Sequence, residues 1–130
     1  MRILLDTQVF IWLVNDDSRL GEESRKIVTT VKNQVYISYL SFFEMAIKAA
    51  LGKLKFDRSI MGDLEKMGVI LLPGDQKSLA EYCVFNQANK DPFDNFLIAT
   101  AKAYRLKLLT SDRKILSVKV EGLEVIDATG

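Results

Sequence analysis

Short apolar runs alternate along this chain with stretches whose apolar residues recur at helical spacing. Residues 2–5 (RILL) read as a buried strand and the TQVFIWLV that follows Asp6 as a short apolar helix. Beyond the polar connector DDSRLGEES, helical spacing links Leu20, Ser24, Ile27, Val28 and Val31. A second strand is expected over 35–38 (VYIS), rich in β-formers, and a helix over 41–51 stopped by Gly52. Ile60, Leu64 and Met67 mark another helix, ended by Gly68. A third strand (69–73, VILLP), a helix (76–85), a loop (86–92, NQANKDP) and a long amphipathic helix (93–104) follow. The fourth strand is 106–110 (LKLLT); a helical turn follows Asp112, and 123–126 (LEVI) closes as a fifth strand.

Several of these strands are near-continuous apolar runs, the pattern of a sheet covered on both faces. Their alternation with helices favours right-handed crossovers between parallel strands. The expected fold is therefore α/β: a three-layer α/β/α sandwich on a mainly parallel sheet of about five strands, with 1–130 as a single domain. Periodicity leaves the strand order open.

Composition narrows the chemistry. The chain of 130 residues has 48% hydrophobic residues and carries 18 basic against 17 acidic groups, a net charge of +1, so no bulk basic charge advertises nucleic acid. One cysteine, Cys83, rules out an internal disulfide or multi-cysteine zinc site and suits a reducing compartment. There is no histidine, which excludes Ser-His-Asp and Cys-His nucleophiles, His-liganded zinc and an imidazole base. The apolar run 3–14 is broken by Asp6 and Gln8 and follows only Arg2, so neither a membrane span nor a signal peptide is expected, and the reading is cytoplasmic.

What remains is carboxylate chemistry. In an open parallel sheet, ligands bind beyond the carboxyl ends of the strands. Asp6 follows the first strand, Ser38 ends the second, and Thr110-Ser111-Asp112 ends the fourth, while Glu44 and Asp94 fall in expected first turns of helices. Each acid also has a local explanation. Ser41 to Glu44 reads as a capping box, Asp91-Pro92-Phe93-Asp94 as a helix start capped by Asp91, and Asp112 as a cap before Ile115. Asp6 is the exception: it is wedged between apolar segments, and its only sequence-local cation is Arg2. Capping does not explain a gathering of four acids, since each like-charge pair at ~6 Å costs about 2.8 kcal/mol at an effective dielectric of ~20. Oxygen donors without histidine or cysteine favour Mg²⁺ or Mn²⁺, one or two ions, and metal-activated water attacking a phosphodiester.

These blocks resemble the PIN-domain ribonucleases, and within them the VapC-like toxins of prokaryotic toxin–antitoxin pairs. LLDTQVFIW, with Asp6 and Thr7, is similar to the family's opening block, and SYLSFFEMAIKAALGKL carries Glu44. DPFDNFLIATA carries Asp94 and LLTSD carries Thr110 and Asp112. The resemblance covers nearly the whole chain. It implies a Mg²⁺- or Mn²⁺-dependent endoribonuclease with Asp6, Glu44, Asp94 and Asp112 as catalytic, metal-binding acids. It also implies an RNA substrate, a homodimer, and a cognate antitoxin occupying the groove. Thr7, Ser38 and Thr110 match polar positions lining such sites, and Asp91 is expected to support them from behind. The chain departs from many relatives in having Gln8 and Asn89-Lys90 where histidines occur, and Asn95 in place of an arginine that would contact phosphate.

Lys48 lies one turn after Glu44, spaced for an ion pair or, with Asn95, a candidate RNA contact. Two basic clusters, Lys53, Lys55 and Arg58, then Lys102, Arg105 and Lys107, read as solvated faces or RNA-backbone grips. Trp12, Phe42, Phe43, Phe93 and Phe96 are expected in the core or a dimer interface. Other layered α/β functions fit less well. A receiver-type phosphoacceptor needs paired acids after the first strand, and a haloacid-dehalogenase-like phosphatase needs an acid where Gln8 stands. The competing reading is a non-catalytic PIN-like RNA-binding or scaffold protein.

Overall fold

The computed structural model describes residues 1–84, 91–117 and 119–130; Phe85 and residues 86–90 of the loop expected over 86–92, with Asn89 and Lys90, lie outside the described residues. Five strands form one sheet: β1 (Arg2–Leu5), β2 (Gln34–Ser38), β3 (Val69–Leu72), β4 (Lys107–Thr110) and β5 (Val125–Asp127). Seven helices connect and cover them: α1 (Thr7–Val14), α2 (Glu22–Thr29), α3 (Tyr39–Ala50), α4 (Leu64–Met67), α5 (Gln76–Val84), α6 (Pro92–Tyr104) and α7 (Arg113–Leu116), with a 3-10 turn at Arg58–Gly62.

Every strand pairing is parallel and the order is β3-β2-β1-β4-β5. Two-residue alternation along the central strands splits their side chains between two cores. Ile3, Leu5, Val35, Ile37 and Leu109 face α1, α3 and α4, where Val9, Phe10, Trp12, Phe42, Met45 and Leu64 meet them. Leu4, Tyr36 and Leu108 face the opposite layer, where α6 and α7 supply Leu97, Ile98, Ala101 and Ile115. Because both faces are covered, the strands need no polar alternation. This is the expected three-layer α/β/α arrangement.

The boundaries depart from the expected ones in four places. The third helix begins at Tyr39, capped by Ser38, whose hydroxyl accepts from the Leu40 N–H at 3.1 Å. Ser41 is therefore inside the helix and the expected capping box does not exist. Val31, expected on the buried stripe of α2, lies past that helix's C-cap and is 98% exposed. The segment around Ile60 and Leu64 divides into a 3-10 turn and a short helix closed by Gly68 at φ 72°. The last strand starts two residues later than expected.

The end of the chain folds back on α2. Gly21 donates to the Ala128 carbonyl at 2.9 Å and Ser24 N–H to the Gly130 carbonyl at 3.2 Å. A Cβ at Gly21 would sit 2.0 Å from the Gly130 oxygen and 2.6 Å from the Thr129 oxygen, both backbone atoms. Glycine is required by proximity, since its φ of −66° is ordinary. Gly21→Ala should therefore push residues 128–130 off α2 and cost about 1–3 kcal/mol, read as a lower midpoint in chemical denaturation. An unchanged midpoint would show that the segment is not held there.

Candidate metal centre

The chain begins at the middle of the sheet, builds outward through β2 to β3, then returns to lay β4 against the other side of β1. The order thus reverses between β1 and β4, and at such a point the loops leaving two adjacent strands diverge and open a crevice. Asp6 stands at the carboxyl end of β1 and Thr110-Ser111-Asp112 at that of β4. The Asp6 N–H extends the ladder by one bond, to the Leu109 carbonyl at 3.0 Å.

A cavity of about 270 Å³ opens there, lined by Asp6, Thr7, Gln8, Ile11, Glu44, Lys48, Asp91, Asp94, Ser111 and Asp112. All four acids expected to converge do so, although they come from β1, α3, α6 and β4, and Asp91 joins them. Glu44 sits at the sixth position of α3, well past the first turn, so no capping role accounts for it.

The acids are held in place by hydroxyls and helix ends. Asp6 is buried and caps α1: one oxygen accepts from the Gln8 N–H at 2.8 Å and the other from the Thr110 hydroxyl. The same Thr110 oxygen accepts from the Asp112 N–H at 3.0 Å, which ties the ends of β1 and β4 into one network. Arg2 is not the partner of Asp6; it donates to the Tyr104 carbonyl and lies over the Tyr36 ring. Asp112 caps α7 through Lys114 and Ile115 N–H groups, and Asp91 caps α6 through Phe93 and Asp94. Thr7 donates to Glu44 Oε1 at 2.8 Å and lies 3.0 Å from Ser41 Oγ, while Lys48 Nζ sits 3.2 Å from Glu44 Oε2.

Two of these carboxyls are held above the ordinary range. Burial pushes Asp6 up most, with Asp112 and Glu44 adding repulsion against the opposing pull of Thr110 and Gln8. Burial, then the charges of Asp91, Asp112, Asp6 and Glu44, raise Asp94 to about 7. Both shifts come from burial first and from like charge second, and the all-oxygen donor set would suit hard divalent ions. Among the described residues, however, no three acidic side chains already stand as a shared ligand set. The structure supplies a common cleft, with Asp6 and Asp112 still turned to their caps.

Three expected positions fall elsewhere. Ser38 is buried as the cap of α3 and does not line the cleft. Asn95, expected as an RNA contact, is only 1% exposed; it lies on the inward face of α6, so its amide is closed off from a polyanion outside. The basic cluster at 102–107 is partly neutralised, by Glu81 on Lys102 and Glu124 on Lys107. Sequence reasoning missed Ile11, which lies on α1 one turn before the C-cap Asn15 and four residues after Thr7, a spacing that points to the cleft once Thr7 is placed there.

A PIN-domain family model matches residues 3–121. The chain belongs to the PIN-domain family. No curated protein sequence matches it significantly. Among solved structures the PIN-domain chain is similar to VapBC2 from Rickettsia felis bound to a promoter DNA fragment, at TM-score 0.70 and 16% identity over 97% of this chain and 98% of that one. It is similar also to VapBC-1 from nontypeable Haemophilus influenzae, at TM-score 0.70 and 19% identity over the full length of both. A third, FitAcB from Neisseria gonorrhoeae, aligns at TM-score 0.64 and 21% identity over 97% of each chain. At these identities the likeness is one of fold.

The raised carboxyls fix the sign of a pH effect. Between the unfolded value of 3.8 and about 7, the folded protein holds a proton on Asp94 that the unfolded chain has lost. Without divalent ions, stability should therefore fall as pH rises from about 4 to 7 and then level off. The lowered acids do not mask this, because Asp17, at about 2, contributes its opposite slope below pH 4. Asp94→Asn should flatten the decline and melt higher than the parent at pH 7.5 in chelator. A melting temperature independent of pH in both proteins would refute the electrostatic account.

Proposed function

We propose that this PIN-domain protein is a metal-dependent endoribonuclease acting as the toxin of a toxin–antitoxin pair in the cytoplasm. The observation that carries the reading is the gathering of Asp6, Glu44, Asp94 and Asp112, with Asp91, in one cleft where the strand order reverses. Family membership supports it, because PIN domains are generally nucleases. Asp6, Glu44, Asp94 and Asp112 would hold one or two Mg²⁺ or Mn²⁺ ions. Bound there, such an ion supplies Lewis-acid charge and an activated water for phosphodiester hydrolysis. The chain's own contribution is positioning: Thr110 fixes Asp6 relative to Asp112, and Thr7 fixes Glu44. A non-catalytic PIN-like RNA-binding or scaffold role draws on one observation, the engagement of Asp6 and Asp112 as helix caps.

One experiment separates the two. The purified chain should cleave single-stranded RNA with Mn²⁺ or Mg²⁺ and not with chelator. Asp6→Asn or Asp94→Asn should lower the rate by about a hundredfold or more while the far-ultraviolet circular dichroism is retained. Variants that cut like the parent would overturn the assignment, and a parent that binds RNA without cutting it would establish the non-catalytic role.

The partner readings have structural support of their own. A second, largely apolar cavity of about 250 Å³, lined by Phe10, Ile11, Val14, Met45, Phe56 and Ile60 among others, adjoins the acidic cleft through Ile11. Such a groove suits an antitoxin segment carrying an apolar side chain for one end and a cation for the other. The structures it resembles include two VapBC assemblies and a toxin–antitoxin complex from Klebsiella pneumoniae. On the far flank of α3, Tyr39, Phe43, Ile47 and Leu51 recur every four residues and are 57%, 52%, 37% and 63% exposed. An apolar ridge at that spacing is the surface a second helix packs against, which supports a homodimer through α3. No helix among the described residues is long and apolar enough to cross a membrane. Phe43→Glu should convert a dimer to monomers in analytical ultracentrifugation; a parent that is monomeric at tens of micromolar would remove the dimer.

A further inference from the structure

The cleft holds one cation among its described lining residues, Lys48, against five carboxylates. Its setting differs from that of an ordinary helix-surface pair. Lys26 and Glu23 on α2 lie 3.3 Å apart with side chains 72% and 76% exposed. Glu44 is instead 14% exposed and Lys48 47%, so the ammonium reaches from solvent to a carboxylate set into the cleft wall. Glu44 is gripped from both sides, by Thr7 on Oε1 and by Lys48 on Oε2. Thr7 is neutral and its hydroxyl serves Glu44 whatever else binds there. Lys48 brings positive charge to the same carboxylate that a divalent cation would use, on a flexible stem that can swing into solvent.

We propose that Lys48 is a built-in competitor for Glu44: its ammonium holds the carboxylate in the metal-free protein and sets how much divalent cation the cleft requires. The proposal rests on the reading that the cleft takes such a cation, and it adds that the metal response is tuned by this chain's own side chain. Lys48 is a positioning residue in this account.

Isothermal titration of the full chain with Mn²⁺ alone tests it. Lys48→Met should bind Mn²⁺ about three- to tenfold more tightly than the parent, because one opposing charge has left the site. Its metal-free form should melt lower, since Glu44 then faces the other acids of the cleft without its ion-pair partner. Lys48→Arg should keep the parent's affinity. Equal or weaker affinity in Lys48→Met overturns the proposal, as does an equal gain in Lys48→Arg, which would show that charge is not the cause. A lower metal-free melting temperature with no gain in affinity marks an ordinary ion pair and also overturns it. A parent that binds no Mn²⁺ brings down the metal reading itself, a result distinct from parent and variant binding alike.

Discussion

The organising constraint of this molecule is the repulsion among carboxylates that the strand order forces together. Two fully ionised carboxylates at ~6 Å and an effective dielectric of ~20 would oppose one another by about 2.8 kcal/mol. Domains stand above unfolding by only about 5–15 kcal/mol, so such a cluster has to be offset locally. The offsets are visible one by one. Asp6, Asp91 and Asp112 each cap a helix, and Asp94 sits in the first turn of α6. A helix N-terminus stabilises an anion by ~0.3–1 kcal/mol. Four acids are thus each placed where a carboxylate is welcome, and Asp6 and Asp94 are still raised, by burial first and by their acidic neighbours second. Capping and the proposed metal holding are therefore compatible uses of one placement: the helix ends make the cluster tolerable, and on that reading a cation would make it favourable.

That placement depends on topology more than on any single helix. Asp6 and Thr110 are 104 residues apart, and they touch because β4 returns to the inner side of β1 instead of adding beyond β3. Had the sheet grown in chain order, the end of β4 would lie three strands from Asp6. The hydrophobic cores enforce the observed order. β1 is buried on both faces, with Ile3, Leu4 and Leu5 all fully covered, and it holds the centre because β2 and β4 flank it. Core packing on both sides of β1 thus delivers the geometry of the cleft.

Much of this was legible in the sequence, and the failures have physical causes. Strands with apolar residues on both faces announce themselves as unbroken runs, so β1, β2 and β4 were placed to within a residue. Glu44 was found for a reason that does not hold. Ser38 and Ser41 both precede apolar residues at cap-like spacing, and the structure uses Ser38 because β2 passes straight into α3 without a loop. Asn95 misled in the opposite way. Its amide suggested a contact with RNA, but residues 95–101 of α6 are all buried, packed in the layer over the sheet, and Asn95 belongs to that inward set. Strand order was closed to sequence reading because pairing is non-local. The convergence of the acids could be expected from the rule for strand ends, but only the reversal between β1 and β4 locates it.

The absence of histidine and the near-neutral charge take on a single meaning once the cleft is known. A net charge of +1 hides segregation, with five acids at one rim and Lys48 the one cation among its described lining residues. A phosphodiester approaching the bare cleft meets a like-charged surface, and Lys48 is committed to Glu44. Histidine would have given such a site a partial positive charge near neutral pH without any metal. In its place the cleft offers five acids and one lysine already paired with Glu44, a balance that does not attract a phosphate. On the proposed reading, the divalent ion has to reverse the sign of the cleft before it can contribute to the chemistry, so substrate affinity and hydrolysis share one requirement. On the same reading, the negative cleft would be complementary to a cationic antitoxin segment when the ion is absent, so that one set of carboxylates would serve both activity and its restraint.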